Sequence, residues 1–215
     1  MQDPATLAAR QDSDSVSLTG LQAVLNGTLI ATQRGEIAVE ALRPGDKVVS
    51  RDRGLVPLRW RGEVTAETRL SPEDTPTLIP RHALGRNLPV RDLYLAPDQR
   101  IWLRGTEFRD LFASHEVLVP ARALAGWSGI TQVTYLPEPS YTVLLFDQPE
   151  IIIADGLQIE SRRPESAISG LTCTGRDAMF SLFPDLERLA GRGAPARRAL
   201  SESETGTALS RQKRA

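Results

Sequence analysis

The chain has 215 residues, of which 40% are hydrophobic, and its 26 basic and 27 acidic side chains nearly cancel. This length suits one sizeable domain with tails, and no apolar run approaches the ~18 residues that a membrane-spanning helix needs. The balanced charge provides no long-range field for nucleic acid or an anionic membrane. We therefore expect a globular domain with no nucleic-acid partner, no membrane span and an unassigned oligomeric state.

Thiol and imidazole groups are scarce. The chain has one cysteine, Cys173, and two histidines, His82 and His115. A single cysteine excludes an intrachain disulfide, and three such residues are too few for a structural zinc site of the usual kind. We expect no metal and no cofactor.

The first part of the chain, residues 1–21, is polar and rich in Ser and Asp. We predict a flexible leader there. It has no basic start followed by an apolar stretch, so no secretory signal is visible. The default expectation is a cytoplasmic protein, with export by another route left open.

Short apolar segments separated by Gly, Pro and Asp fill residues 22–164, which we predict to be one domain. Nine are rich in β-branched and aromatic residues and predict strands: Thr28–Thr32, Lys47–Ser50, Leu55–Trp60, Asp92–Leu95, Arg100–Leu103, Glu116–Val119, Ile130–Tyr135, Tyr141–Phe146 and Glu150–Ile153. Their spacing predicts an all-β fold rather than βαβ units. Periodicity leaves Ile37–Leu42 open as a short strand or one helical turn.

One connection between predicted strands has a sequence that specifies its turn type. In Arg43-Pro44-Gly45-Asp46, Pro suits a φ near −65° and Gly suits a positive φ, as in a type II turn. We expect Asp46 to hold this turn through bonds from its side chain to the backbone.

The character of the chain changes after Pro164. Residues 165–190 predict a helical extension of one or two short helices, since Asp177–Leu189 has apolar residues near helical spacing, interrupted by Pro184. Residues 191–215 predict a disordered basic tail. A solvated tail is favoured there, and docking to a protein partner is the alternative.

Four motifs occur in order along the predicted domain. They are Gly27–Thr32 with Gly35–Glu36, Val39–Glu40 and Pro44–Val48; Ala83–Leu93 with Ala96–Arg100; Val117–Arg122; and Glu150–Gly156 with Glu160–Ser161. Together they resemble Hint (Hedgehog/intein) domains, in particular a bacterial stand-alone group, from about Ala23 to Arg163. The resemblance implies an all-β, horseshoe-like fold with pseudo-twofold symmetry.

The resemblance also implies a self-cleaving chemistry. In the family, a Cys at the first position attacks the preceding carbonyl, and a Thr-x-x-His element polarises that peptide and protonates its leaving amine. Such a reaction needs a thiolate-capable nucleophile, a general acid and donors for the oxyanion.

This sequence departs from the family at each reactive position. The family Cys falls on Ala23, and the Thr-x-x-His element falls on Ala96 and Gln99. Two further family histidines fall on Val143 and Pro149. The framework residues remain: Gly27, Thr28, Pro44, Gly45 and Asp46.

Other polar residues have ordinary structural interpretations. We expect Thr28 to hydrogen-bond backbone near the former scissile bond, and Asp98 to be a solvated turn residue. Ser114-His115-Glu116 does not predict a catalytic triad, because sequence neighbours on an extended segment point to opposite sides. His82 is favoured as a surface residue, with replacement of a lost histidine as the alternative. Three tryptophans are expected to pack in or beside the core: Trp60, Trp102 and Trp127.

The sequence therefore predicts a Hint-type module without autocatalytic cleavage, acting as a binding or structural module with an unknown protein partner. The alternative is residual self-cleavage before Ala23. Cys173 lies about 150 residues downstream, outside the matched motifs, and is not favoured as a displaced nucleophile.

Overall fold

The computed structural model describes residues 20–65, 71, 73–85, 87–137, 139–162 and 194–212. These residues form two β-sheets, two α-helices and two short 3₁₀ turns. Within this part of the chain, no helix is long and apolar enough to cross a bilayer.

The first sheet has six antiparallel strands in the order β11-β7-β8-β1-β12-β6. Their bounds are β1 Val24–Leu25, β6 Trp60–Thr65, β7 Thr77–Ile79, β8 Leu93–Leu95, β11 Thr131–Gln132 and β12 Ser140–Leu145. The two-residue strand β1 therefore lies in the interior of this sheet, between β8 and β12.

The second sheet has nine strands in the order β15-β10-β9-β14-β13-β2-β4-β5, with β3 paired to β2. Their bounds are β2 Leu29–Thr32, β3 Gly35–Ala38, β4 Lys47–Ser50, β5 Gly54–Pro57, β9 Arg100–Arg104, β10 Glu116–Pro120, β13 Ile151–Ala154, β14 Leu157–Glu160 and β15 Arg198–Ala199. The pairing of β15 with β10 is parallel.

The helices lie near the β10 end of the second sheet. Helix α1 spans Thr106–Phe112, and helix α2 spans Glu202–Gln212. The 3₁₀ turns are Val39–Ala41 and Ala121–Leu124. Helix α2 packs against α1, β10 and the second 3₁₀ turn.

The core forms because alternate strand residues are apolar and point to one side of a sheet. In β2 and β4, for example, Ile30 and Val48 are fully buried. They belong to one continuous cluster that includes Ile101, Val117 and Ile159 from other strands of the same sheet. The expected all-β architecture is therefore confirmed.

Each of the nine predicted strand segments overlaps an observed strand, although Ile130–Tyr135 is reduced to two residues. The segment Ile37–Leu42 combines both alternatives, since β3 ends at Ala38 and a 3₁₀ turn follows. The sequence patterns do not predict strands β1, β7, β14 and β15, and they include only the first residue of β6, Trp60. The two-residue strands β1 and β15 are too short for a periodic pattern.

The prediction of a disordered tail over residues 191–215 is wrong for residues 194–212. Ser201 and Glu204 form a capping box, in which the Ser201 backbone N donates to Glu204 Oε2 at 2.8 Å and the Glu204 N donates to Ser201 Oγ at 3.3 Å. Leu200, Ala208 and Leu209 are buried against the core. The predicted helical extension 165–190 and most of the leader, residues 1–19, lie outside the described residues.

Candidate functional site

The pairing of strand β1 places three of the predicted positions side by side, namely Ala23, Ala96 and Val143. Val24 pairs with Leu95 on β8 and with Thr142 on β12. One position earlier in these antiparallel registers, Ala23 lies opposite Ala96 and Val143. The Ala96 N donates to the Ala23 O at 3.1 Å, which fixes this register.

Gln99 lies on the turn that follows Ala96. Its backbone N donates to the Ala96 O at 2.9 Å. Its side-chain Nε2 donates to two carbonyls, Glu160 O at 2.7 Å and Arg100 O at 3.2 Å. The amide therefore donates to backbone oxygens, and an amide does not gain or lose a proton as an acid or base near neutral pH.

We call Ala23, Ala96, Gln99 and Val143 the Ala23 cluster. All four are buried, with at most 4% of each exposed. Two methyl groups, an isopropyl group and an amide provide no nucleophile and no general acid. Pro149 is half-buried just before β13, and among the described residues no hydrogen bond or strand pairing joins it to Ala23.

A buried carboxylate beside the cluster was missed as a site residue by the sequence analysis. The Glu160 side chain is fully buried. Its Oε2 accepts hydrogen bonds from Arg100 Nη1 at 2.9 Å and from Gln22 Nε2 at 3.3 Å, and its Oε1 accepts from the Ala196 N at 2.6 Å. The available signal was an acid that ends an apolar segment, Leu157–Glu160, within the fourth Hint-like motif. Glu160 thus holds the residue that precedes Ala23.

Asp98 is not the solvated turn residue that was expected. Its side chain is only 20% exposed and forms an ion pair with Arg122 at 2.9 Å. Its Oδ2 also accepts a hydrogen bond from the Gly20 N at 2.5 Å. The prediction failed because the turn folds against the chain segment that leads to Ala23, a contact between residues 78 positions apart.

The framework residues hold two turns through local hydrogen bonds, as expected. Gly27 has φ +87°, a conformation that favours glycine. Thr28 Oγ1 donates to the Leu25 O at 2.6 Å, within three residues of the Gln22–Ala23 bond.

The second turn is the one at Arg43–Asp46. Gly45, after Pro44, has φ +94°, and the Arg43 N donates to Asp46 Oδ2 at 2.9 Å. This is the geometry that the type II turn required.

Both histidines are exposed, and neither belongs to the Ala23 cluster. His82 accepts a hydrogen bond from Arg81 Nε at 3.0 Å. Ser114 and Glu116 form no triad with His115, because Ser114 Oγ donates to the Glu116 backbone O and the Glu116 carboxylate binds other residues. Cys173 lies outside the described residues.

Two of the tryptophans have resolved packing roles. Trp102 stacks under the Arg51 guanidinium, whose carbon lies 3.8 Å from the ring centroid. Trp127 is half-buried and packs on the hydrophobic core. The expectation of core or rim packing agrees with these contacts.

Comparison with known proteins identifies the family. A profile of the Hint domain matches residues 23–166, which is about two thirds of the chain and begins at Ala23. The chain belongs to the Hint-domain family. Among curated proteins, no sequence relative matches it.

Two solved structures resemble this Hint domain in part. One is a splice-inactive variant of the AceL NrdHF class 3 split intein, with 14% identity, a TM-score of 0.41, and coverage of 66% of this chain and 98% of that chain. The other is the bacterial intein-like domain from Clostridium thermocellum, with 14% identity, a TM-score of 0.46, and coverage of 66% and 99%.

Proposed function

We propose that this Hint domain does not cleave itself and acts as a binding or structural module. The observation that supports the proposal is the set of side chains in the Ala23 cluster, which contains no nucleophile and no general acid. An acyl shift needs a side-chain nucleophile at position 23, and a methyl group cannot form the acyl intermediate. Gln99 cannot protonate a leaving amine, because its amide does not titrate near neutral pH.

The Gln22–Ala23 bond, which corresponds to the bond cleaved in the family, is buried. Its burial also argues against cleavage by water or another external nucleophile. Gln22 is 8% exposed and Ala23 is 2% exposed. The Gln22 side chain is also held in place by its hydrogen bond to Glu160. A nucleophile from solvent therefore has little access to the Gln22–Ala23 peptide.

The first experiment measures the intact mass of the full chain during prolonged incubation with dithiothreitol. We expect the full-length mass to persist, with no fragment that begins at Ala23. A clean cut before Ala23 contradicts the proposal and supports residual self-cleavage instead.

The second experiment tests whether the Ala23 cluster occupies the family's reactive positions. A variant with all five family residues restored, A23C/A96T/Q99H/V143H/P149H, is expected to release residues 1–22 when thiol is added. The matched control is A96T/Q99H/V143H/P149H, in which position 23 remains Ala. We expect this control to stay intact when thiol is added. A restored variant with the parent circular dichroism spectrum and no thiol-dependent cleavage contradicts the mapping.

A further inference from the structure

Residues 194–212, which we call the C-terminal arm, are seated on the edge of the nine-stranded sheet. Strand β15 pairs with β10, and the Leu200 N donates to the Leu118 O at 2.8 Å. Leu200, Ala208 and Leu209 bury their side chains in the core. The arm is thus part of the folded domain, through both strand pairing and core packing.

A first polar link joins the arm to residues 20–23, which we call the junction segment. The Ala196 N donates to Glu160 Oε1 at 2.6 Å, and Gln22 Nε2 donates to Oε2 of the same carboxylate at 3.3 Å. Arg100 supplies the balancing charge at 2.9 Å. The arm and the junction segment therefore bind the two oxygens of one buried side chain.

A second polar link runs through Arg122. This guanidinium forms ion pairs with Glu202 of the arm at 2.6 Å and with Asp98 at 2.9 Å. Asp98 in turn accepts a hydrogen bond from the Gly20 N at 2.5 Å. The junction segment is therefore tied to the arm at both Gly20 and Gln22.

The two links border a cleft of about 740 Å³. Gly20, Gln22 and Asp98 line one side, and Ser201, Glu202 and Ser203 of the arm line another. Displacement of the arm removes a wall of this cleft and exposes the region around Gln22.

The arm also has an anchor away from the cleft. Arg197 Nε donates to Glu116 Oε2 at 2.6 Å, and Arg197 Nη2 donates to Asp52 Oδ1 at 2.7 Å. Neither acceptor belongs to the two links or lines the cleft. Arg197 therefore provides a way to loosen the arm without touching the junction segment.

We infer that the C-terminal arm is an intramolecular strap whose docking holds the junction segment closed and whose release frees it. This coupling does not depend on whether the domain cleaves itself. Two sites linked in this way affect each other reciprocally, because coupling free energy is a property of the pair. Loosening the arm must loosen the junction segment, and loosening the junction segment must loosen the arm.

The test is hydrogen exchange of the full chain, followed by mass spectrometry. In Arg197→Ala, peptides covering 196–212 are expected to exchange about tenfold faster, since local opening sets their protection. Peptides covering 20–25 are expected to exchange faster as well. Arg34→Ala removes an ion pair with Asp46 outside both links and the anchor, and is expected to change neither region.

The reciprocal variant is Gln22→Ala, which removes the Glu160 contact from the junction side. It is expected to speed exchange in the arm, a result that a merely local role for Gln22 does not produce. Faster exchange of the arm in Arg197→Ala with no change at 20–25 overturns the inference. If the arm stays protected even in R197A/R198A, the arm is not a separable strap and the inference fails. Intact mass of the same samples reports cleavage separately from coupling.

Discussion

Carboxylate side chains at turns show how a single residue organises this chain. Asp46 satisfies the Arg43 N within its own turn, whereas Asp98 satisfies the Gly20 N far away in sequence. In each case a carboxylate oxygen accepts a charge-assisted hydrogen bond from a backbone N–H group. The first bond follows from local sequence, and the second depends on which segment the fold brings to the turn.

Substitution Asp46→Ala tests the local bond. It removes the acceptor of the Arg43 N and the ion pair with Arg34. We expect the free energy of unfolding to fall by about 1 kcal/mol, as for loss of one charge-assisted hydrogen bond. Urea denaturation followed by tryptophan fluorescence measures the change.

Arg34→Ala is the matched control, because it removes only the ion pair. The Arg34 side chain is 67% exposed, and exposed pairs contribute little. We expect a loss below about 0.5 kcal/mol. Equal losses in the two variants contradict the assignment of stability to the backbone bond.

At the scale of elements, the C-terminal arm is the clearest departure from what composition suggests. Its sequence is rich in Ala, Ser and Arg, and its glycine, Gly206, lies inside helix α2, so composition favoured disorder. The Ser201–Glu204 capping box and the burial of Leu200 and Leu209 outweigh that bias. The capping box is readable in the sequence as S-x-x-E, whereas the sheet edge that receives β15 is not.

Ser201→Ala tests the contribution of the cap. The substitution removes the Oγ that accepts a hydrogen bond from the Glu204 N. We expect helix α2 to lose about 1 kcal/mol of local stability, the usual cost of an N-cap change. Hydrogen exchange of the peptides over 202–212 measures this loss.

Ser210→Ala on the same helix is the control, since its Oγ donates to the Gly206 O near the other end. We expect a change within about 0.5 kcal/mol, as for an exposed substitution. If Ser201→Ala changes exchange no more than Ser210→Ala does, the cap is not what orders the helix.

At the scale of the whole molecule, charged groups tie the arm to the sheet. Burial by itself raises the pKa of Glu116, but hydrogen bonds from Arg197, Trp102 and Arg51 hold the pKa below its usual value of 4.5. The pKa of Arg197 is raised by its bonds to Asp52 and Glu116. This network joins β10, the turn after β4 and the arm.

The lowered pKa of Glu116 predicts a pH dependence of stability. A carboxyl whose folded pKa is depressed stabilises the fold above its unfolded pKa, and this contribution is lost as pH falls through the folded pKa. We expect Glu116→Gln to reduce the free energy of unfolding by about 1–2 kcal/mol at pH 7. The difference from the parent protein should shrink below pH ~4. Urea denaturation between pH 3 and pH 7 measures it.

The Arg197→Ala background provides the control for this pH dependence. Without Arg197, the first hydrogen bond that lowers the pKa of Glu116 is absent. The pH-dependent part of the Glu116→Gln effect should therefore be smaller in that background. A Glu116→Gln effect that is constant from pH 3 to pH 7 contradicts the assignment.

The sequence by itself determined the features that depend on neighbouring residues. Runs of β-branched residues located nine strand segments, and Pro44-Gly45-Asp46 specified its turn, because propensities and turn hydrogen bonds act over a few residues. The ordered Hint motifs also indicated the family. The identity of the side chains at Ala23 and Gln99 was enough to predict that a nucleophile and a general acid are missing.

Only the tertiary structure decided which distant residues meet. Ala23, Ala96 and Val143 become neighbours through sheet pairing, and Gln22 reaches Glu160 across 138 positions. Such contacts depend on the free energy of packing the whole chain, which local sequence does not encode. The same reason explains why the order of the C-terminal arm was missed, since its stability comes largely from the sheet edge and core that it covers.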